Sequence, residues 1–198
     1  MKLFALLCLA VFASTPATAQ PAAAPAVPGR AAPALPPKSL YHLDSTWTDD
    51  TGQTRQLLSL LGDPVVVAMI FTNCEYACPI MVTDLLRIRA ALPVAERART
   101  KFLLVTFDDV RDTPPVLRAY RAKMNLEAPA WQLFHGAAPD IQELALLLGV
   151  KVKRDARGQF SHSNLITVLN PTGEIAYQRE GLRGDTDEVA RAVTATLK

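Results

Sequence analysis

The chain has 198 residues and a formal net charge of +2, with 21 basic and 19 acidic side chains. This near balance, without a basic stripe interleaved with aromatic residues, excludes a nucleic-acid partner. The sequence has no internal repeat, and the length that remains after a low-complexity N-terminal region suits a single domain.

Residues 1–19 have the features of a secretory signal peptide. A lysine is followed by the apolar run Leu3–Ala13, and the small-residue pattern Ala17-Thr18-Ala19 marks a cleavage site. The apolar run is short for a membrane span, so we expect cleavage and export; an uncleaved anchor is the alternative. The chain is membrane-associated only if this segment is retained. Cys8 would leave with the signal, so the exported chain would keep two of its three cysteines.

Residues 20–37 are almost entirely alanine and proline, with a single charge at Arg30. Such a segment cannot bury a hydrophobic core, and we expect an extended, semi-rigid linker. The linker would hold the following domain away from a membrane or from the secretion signal. Residues 38–198 are the predicted folded domain.

From residue 38 onward, the periodicity of the sequence predicts alternating strands and helices. The turn cluster Asp49-Asp50-Thr51-Gly52 lies between Leu40–Trp47 and Gln53–Leu58 and indicates a leading β-hairpin. The later predicted elements are, in order, strand Pro64–Phe71, helix Ile80–Leu92, strand Lys101–Phe107, helix Pro114–Met124, strand Trp131–Phe134, helix Pro139–Leu148, strands Leu165–Asn170 and Glu174–Gln178, and helix Asp185–Leu197. This order predicts an α/β, thioredoxin-like fold: a central mixed β-sheet flanked by helices, with an N-terminal β-hairpin extension.

The most informative motif is FTNCEYACPIM, which places Cys74 and Cys78 between a buried strand and a helix. Pro79 suits the first helical position, so we expect Cys78 at or beside the N-cap, Cys74 in the preceding loop and the helix to start after Cys78. Unpaired N–H groups and the helix dipole would stabilise a thiolate there. The three intervening residues allow the pair to close as a redox-active disulfide or to open around a metal ion. The motif alone does not choose between these states.

Three histidines are candidates for a role beside the cysteines. His162 lies in a polar loop before strand Leu165–Asn170, and a lone loop histidine is usually a surface or hydrogen-bonding residue. The thioredoxin-like order, however, places this loop close to the cysteines, where an imidazole would complete a set of two sulfurs and one nitrogen. His135, at a strand end, is better explained by capping or packing, and we expect His42 to be exposed.

Two thiolates and one imidazole favour a copper ion, as Cu(I) or Cu(II). Structural zinc normally takes four protein ligands, so this set would be one short. Catalytic zinc uses three ligands, but no carboxylate here has an obvious general-base spacing to a nucleophile. Haem attachment is excluded because no histidine follows the second cysteine. Copper is the preferred metal of the prediction.

The segments FTNCEYACP, TFDDVRDTPPVLRAY, AWQLFHG and FSHSNLITVLNPTGEI, in this order, resemble the SCO/SenC family of periplasmic and mitochondrial copper proteins. The resemblance implies a thioredoxin-like domain that binds copper through Cys74, Cys78 and His162. It also implies a periplasmic location and a role in assembling the dinuclear copper centre of cytochrome c oxidase. The implied partners are the copper-bearing oxidase subunit and another periplasmic copper chaperone. Glu75 and Asp109-Val110 depart from the family pattern, but neither replaces a ligand.

The acidic residues around the motifs have simpler explanations as well. By resemblance, Asp108 supports the ligands or docks a partner; an ordinary loop acid is the alternative. Asp112 precedes Thr113-Pro114 and is interpreted as a helix cap. Asp49 and Asp50 are interpreted as solvated turn residues without a metal role, and Trp131 and Phe160 as packing residues.

Two functional hypotheses remain open. The first is a metallochaperone that passes copper to a partner, and the second is a thiol-disulfide oxidoreductase that reduces the cysteines of a periplasmic partner. Both use Cys74 and Cys78, but only the first requires His162.

Overall fold

The computed structural model describes residues 35–155 and 160–198. The predicted signal peptide, and all but the last three residues of the predicted linker, lie outside the described residues. Within the described ranges, none of the helices has the length and apolar character needed to cross a membrane.

The described residues form nine strands and five α-helices, with two short 3-10 helices at Leu40–His42 and Leu57–Leu60. The strands are β1 (Trp47–Asp49), β2 (Thr54–Arg55), β3 (Val65–Ile70), β4 (Lys101–Thr106), β5 (Trp131–His135), β6 (Val152–Arg154), β7 (Phe160–His162), β8 (Leu165–Leu169) and β9 (Ile175–Glu180). The helices are α1 (Ala77–Ala91), α2 (Val94–Arg99), α3 (Pro114–Lys123), α4 (Ala138–Leu148) and α5 (Thr186–Ala195).

Seven strands form the main sheet in the order β2-β1-β5-β4-β3-β8-β9. Strands β3, β4 and β5 are parallel, whereas β8 runs antiparallel to β3 and β9 antiparallel to β8. Strands β6 and β7 form a separate two-stranded ribbon. The sheet is therefore mixed, as the sequence predicts, with β1 and β2 as a hairpin added at one edge.

The centre of the sheet is fully enclosed, which explains the continuous apolar run of β3. All six of its residues are buried, and five of the six residues of β4 are buried beside them. Helix α5 packs against α1 and against β8 and β9, while α3 packs on β5. A strand covered on both faces needs apolar side chains at every position, so this part of the fold is encoded locally.

The register between β3 and β8 brings two distant chain segments together. Ala68 of β3 pairs with Ile166 of β8 in antiparallel orientation. The residues that follow β3 therefore lie near the residues that precede β8. The first segment contains the two motif cysteines, and the second contains His162.

The leading hairpin differs from the prediction in length and in the role of its turn acids. Its strands are short, because the flanking apolar residues Leu40–His42 and Leu57–Leu60 form 3-10 helices instead. Asp49 and Asp50 are buried rather than solvated. Asp50 binds the guanidinium of Arg121 through both carboxylate oxygens, each at 2.6 Å.

Asp49 is buried for a local reason. Its Oδ1 accepts hydrogen bonds from the backbone N–H groups of Thr51 and Gln53, and its Oδ2 accepts one from Arg55. Burial raises the pKa of Asp49, but these hydrogen bonds outweigh it and lower the pKa to about 2. The acidic pair thus fixes the hairpin turn, and its interpretation as solvated was wrong.

Candidate metal centre

The buried carboxylate of Asp112 holds the loop after β3 in place. Asp112 accepts hydrogen bonds from the backbone N–H of Thr72 at 2.9 Å and from its hydroxyl at 2.5 Å. The hydroxyl of Thr106, at the end of β4, donates to the same carboxylate at 2.5 Å. The backbone N–H of Cys74 then donates to the carbonyl of Phe71 at 3.2 Å. These bonds fix the path of the chain immediately before the first thiol.

This arrangement corrects the interpretation of Asp112 as a helix cap. Thr113 is the N-cap residue of α3, and its side chain makes no capping hydrogen bond. Asp112 points into the protein and is completely buried. The sequence pattern Asp-Thr-Pro predicts the start of the helix correctly, but the partners of the carboxylate lie on other elements.

Helix α1 begins one residue before Cys78, at Ala77, with Tyr76 as its N-cap. Cys78 therefore lies inside the first helical turn, and the prediction that the helix starts after Cys78 was wrong. Pro79 is tolerated here because the first backbone N–H groups of a helix have no intrahelical acceptor. The N–H of Cys78 donates to the Sγ atom of Cys74 at 3.3 Å. The helix terminus thus supplies a hydrogen-bond donor to the other sulfur of the pair.

The two cysteines have different surroundings. Cys78 is completely buried, whereas Cys74 is partly exposed, and both are free thiols. Burial raises the pKa of Cys78 far above its ordinary value; a backbone hydrogen bond at Phe71 opposes the rise, and the nearby Cys74 adds to it. The Cys78 thiol is therefore protonated at neutral pH in the metal-free protein. The expected stabilisation of a thiolate by the helix dipole does not overcome this burial.

His162 reaches the thiols from the opposite side of the site. It ends the short strand β7 rather than lying in an irregular polar loop, as the sequence suggested. Its Nε2 lies 3.8 Å from the Sγ atom of Cys78. Its Nδ1 lies 3.1 Å from the carbonyl oxygen of Ser163, which can only accept, so Nδ1 carries the proton. The lone pair of Nε2 is consequently free to bind a metal ion.

Aromatic rings pack against the imidazole of His162 and exclude water from its surroundings. The ring of Phe107 lies 4.8 Å from that of His162, and the ring of Phe71 meets it edge-on at 6.0 Å. Phe160 packs against both phenylalanines, consistent with its predicted packing role. Burial lowers the pKa of His162, so the imidazole remains neutral at neutral pH. The contribution of Phe71 and Phe107 could not be predicted from the sequence, because both have the pattern of ordinary core residues at strand ends.

The three side chains have the geometry of a metal site. The Sγ atoms of Cys74 and Cys78 and a ring nitrogen of His162 all lie within 4.8 Å of one another. Ligand atoms around one metal ion, at usual metal–sulfur and metal–nitrogen bond lengths, lie roughly 3.5–4 Å apart in a plane. Small side-chain movements would therefore suffice to bind an ion. No fourth histidine, cysteine or carboxylate belongs to this group within the described ranges, so the soft, three-membered donor set fits copper better than structural zinc.

The site is open to solvent on one side. A cleft of about 530 Å³ lies over it, and Cys74 and His162 are part of its wall. Glu75 and Tyr76 line the same cleft, and Tyr76 is 70% exposed. A second protein could reach Cys74 through this opening, whereas Cys78 is completely buried.

The other candidate residues lie outside the ligand group. Asp108 is completely buried and forms an ion pair with Arg111, so it is not a freely solvated loop acid. His135 ends β5, and its buried Nδ1 has no hydrogen-bond partner among residues 35–155 and 160–198. His42 is exposed, as expected, and Trp131 is part of the core.

Comparison with known proteins identifies the domain. The family model described as SCO1/SenC matches residues 36–198. The chain belongs to the SCO1/SenC family. A SCO1 protein homolog of Bacillus subtilis (strain 168) is 26% identical over 140 residues, which are 69% of this chain and 72% of the homolog. The predicted family membership is confirmed.

Solved structures agree with the SCO1/SenC assignment. Bradyrhizobium japonicum ScoI, solved with copper bound, is 20% identical with a TM-score of 0.65, covering 77% of this chain and 96% of ScoI. BsSco is 25% identical with a TM-score of 0.67, covering 76% of this chain and 90% of BsSco. BsSco is described as having a disulfide switch and as a member of the Sco family of cytochrome c oxidase assembly proteins. The predicted thioredoxin-like fold is thereby confirmed.

Proposed function

We propose that this protein is an exported metallochaperone that delivers copper to the dinuclear copper centre of cytochrome c oxidase during assembly. The family to which it belongs takes part in oxidase assembly and copper binding. The chain itself binds copper, with the cluster of Cys74, Cys78 and His162 as its ligands. The partners in the proposal are the copper-bearing subunit of the oxidase, as recipient, and another periplasmic copper chaperone, as donor.

The third ligand is the observation that supports copper delivery over pure thiol chemistry. A thiol reductase needs one nucleophilic thiol and a second thiol that resolves the mixed disulfide. Thiol-disulfide exchange does not require a third donor atom, whereas a copper site gains one from the neutral imidazole 3.8 Å from the buried sulfur. His162 has its proton on Nδ1 and its free lone pair beside Cys78, which is the arrangement of a ligand.

Thiol-disulfide exchange is the second candidate function, and the asymmetry of the cysteines favours it specifically. Cys74 is partly exposed in the cleft and accepts a hydrogen bond from the N–H of Cys78, so it can attack a partner's disulfide. Cys78 is buried behind it and could resolve the mixed disulfide. The disulfide switch of BsSco, a member of the same family, supports this second candidate.

One set of variants separates the two functions. His162→Ala should reduce the amount of copper-loaded oxidase in cells and should be partly rescued by added copper. Thiol-disulfide exchange by the purified variant should be largely retained. If oxidase assembly is unaffected by His162→Ala but lost in Cys74→Ser and Cys78→Ser, the donor role is refuted and the reductase role stands.

We further propose that the protein acts in the periplasm. Support comes from the signal-like residues 1–19 and from two cysteines that are poised to form a disulfide in an oxidising compartment. Mass spectrometry of the exported protein should find a chain that begins at Gln20 if the signal is cleaved. A retained segment would place the protein in the membrane fraction. Full-length protein in the cytosol would contradict the proposed location.

A further inference from the structure

Asp112 is the one completely buried carboxylate in the described part of the chain that contacts the loop before Cys74. It is fixed by three hydrogen bonds, two from Thr72 and one from Thr106, with lengths of 2.5 to 2.9 Å. Thr72 precedes Cys74 by two residues. Any movement of the carboxylate is therefore transmitted directly to the backbone that carries the first ligand.

Within the described ranges, the charge of this carboxylate has no cationic partner. All of its hydrogen-bond donors are neutral hydroxyl or amide groups, and no lysine, arginine or histidine among the described residues forms a salt bridge with Asp112. By contrast, Asp50 and Asp84, which are also buried, are paired with Arg121 and Arg179. A buried charge that is solvated only by neutral dipoles acts strongly on its neighbours.

Two nearby groups respond to this charge. Asp112 contributes to the raised pKa of Cys78, although burial is the main cause there. It contributes in the same way to the raised pKa of Tyr120, again after burial, and the thiols Cys78 and Cys74 act on that tyrosine too. The Tyr120 hydroxyl is buried and has no hydrogen-bond partner in the described part of the chain. Asp112, Tyr120 and Cys78 are thus all buried and act on one another electrostatically.

The effect of Asp112 on bound copper depends on the net charge of the metal and its ligands. When Cu(I) replaces the two thiol protons, the ligands and metal carry a net charge of −1, since two thiolates, one neutral imidazole and one monovalent cation are combined. When Cu(II) binds in the same way, the net charge is zero. The negative charge of Asp112 therefore repels the Cu(I) complex and, to first order, leaves the neutral Cu(II) complex unaffected.

We propose that Asp112 is a positioning residue of the copper site, which holds the chain before Cys74 in place and whose buried charge shifts the relative affinity of the site from Cu(I) toward Cu(II). This inference rests on the proposed copper-binding function and adds the valence to it. The proposed effect needs no further residue. No electron transfer is involved, because each copper valence binds with release of the two thiol protons.

The test compares the affinities of the reduced, metal-free protein for Cu(I) and for Cu(II), each measured anaerobically by competition with a chelator selective for that valence. Asp112→Asn keeps the shape of the side chain and removes its charge. We expect the ratio of Cu(I) to Cu(II) affinity to increase about tenfold, which for a one-electron couple corresponds to about +59 mV in the potential of the bound copper. An unchanged ratio, or a lower one, would overturn the role of the charge.

Two further variants distinguish charge from geometry and from general destabilisation. Thr106→Val removes one hydrogen bond to Asp112 but keeps the charge, so both affinities should fall together and their ratio should stay within about twofold of wild type. Asp50→Asn removes a buried carboxylate away from the cysteine loop, so it should lower stability without changing the ratio. If Asp50→Asn changes the ratio as much as Asp112→Asn does, the effect is not specific to the site and the proposal fails.

A metal-free measurement tests the positioning role separately. The backbone N–H of Thr72 donates to Asp112 and should exchange slowly with deuterium in the wild-type protein. Asp112→Asn should accelerate this exchange at least about tenfold, whereas equal exchange would refute the positioning role. Wild-type protein that binds no copper at all would instead refute the proposed function and the valence preference, and the Thr72 exchange would still decide the positioning role.

Discussion

Copper affinity should rise steeply with pH, and the structure assigns the rise to Cys78. A thiol must lose its proton before it binds a metal ion. Burial keeps the pKa of Cys78 far above neutrality, so copper has to displace this proton throughout the neutral range. His162 acts differently, because burial lowers its pKa and the ring is already unprotonated at neutral pH. The imidazole therefore adds no slope until the pH falls below its lowered pKa.

The expected magnitude follows from the number of protons released. Each proton displaced from a group that is fully protonated in the free protein changes the apparent affinity by a factor of about ten per pH unit, or about 1.4 kcal/mol. Cys78 alone thus supplies about 100-fold between about pH 6 and about pH 8.

The assay is a competition titration of the reduced protein with a copper chelator, with the chelator's own protonation taken into account. Buffers with different heats of ionisation allow calorimetry to count the released protons independently. An affinity that is flat over this range, without proton release, would refute the reasoning: either Cys78 is not a ligand or burial does not keep it protonated.

Three further predictions concern other parts of the structure. His162→Ala should weaken copper binding at least about tenfold without unfolding the domain. His42→Ala, at an exposed histidine, should leave copper binding unchanged. Equal effects of the two variants in isothermal titrations would argue against the site. Asp50→Asn should lower the free energy of unfolding by about 2–3 kcal/mol in urea titrations, because it leaves the largely buried guanidinium of Arg121 without its anion. A loss of stability below about 0.5 kcal/mol would contradict this prediction. Asp49 has a lower pKa folded than unfolded, so its contribution to stability is complete above about pH 4 and is lost as the pH falls toward about 2; Asp49→Asn should flatten the acid limb of the stability curve.

Much of the fold could be predicted from the sequence because its main elements are encoded locally. The run Val65–Ile70 is apolar at every position and is buried on both faces of the sheet. The helical repeat after the cysteines, the paired strands β8 and β9 and the closing helix α5 were likewise found within a few residues of their observed bounds. Helix α2 and the ribbon of β6 and β7 were missed, because both are short and largely exposed.

The three ligand candidates could also be named from the sequence, since two of them share a motif and the fold order points to the third. Their exact positions in the fold and their protonation could not be predicted. Cys78 lies within the helix rather than before its start, and its burial reverses the expected effect on its pKa. The partners of Asp112 and Asp50 are up to 71 residues away in sequence, so local patterns suggested a cap and a solvated turn instead. Contacts between distant segments decided both cases.

The most direct test of the copper site is the stoichiometry of binding in two redox states of the same protein. Reduced protein with both thiols free should bind one copper ion per chain, because Cys74, Cys78 and His162 form a single cluster. Protein oxidised to the Cys74–Cys78 disulfide has lost both sulfur ligands and should bind almost none. Metal analysis after gel filtration gives both values, and equal copper binding by the two forms would contradict the proposed site.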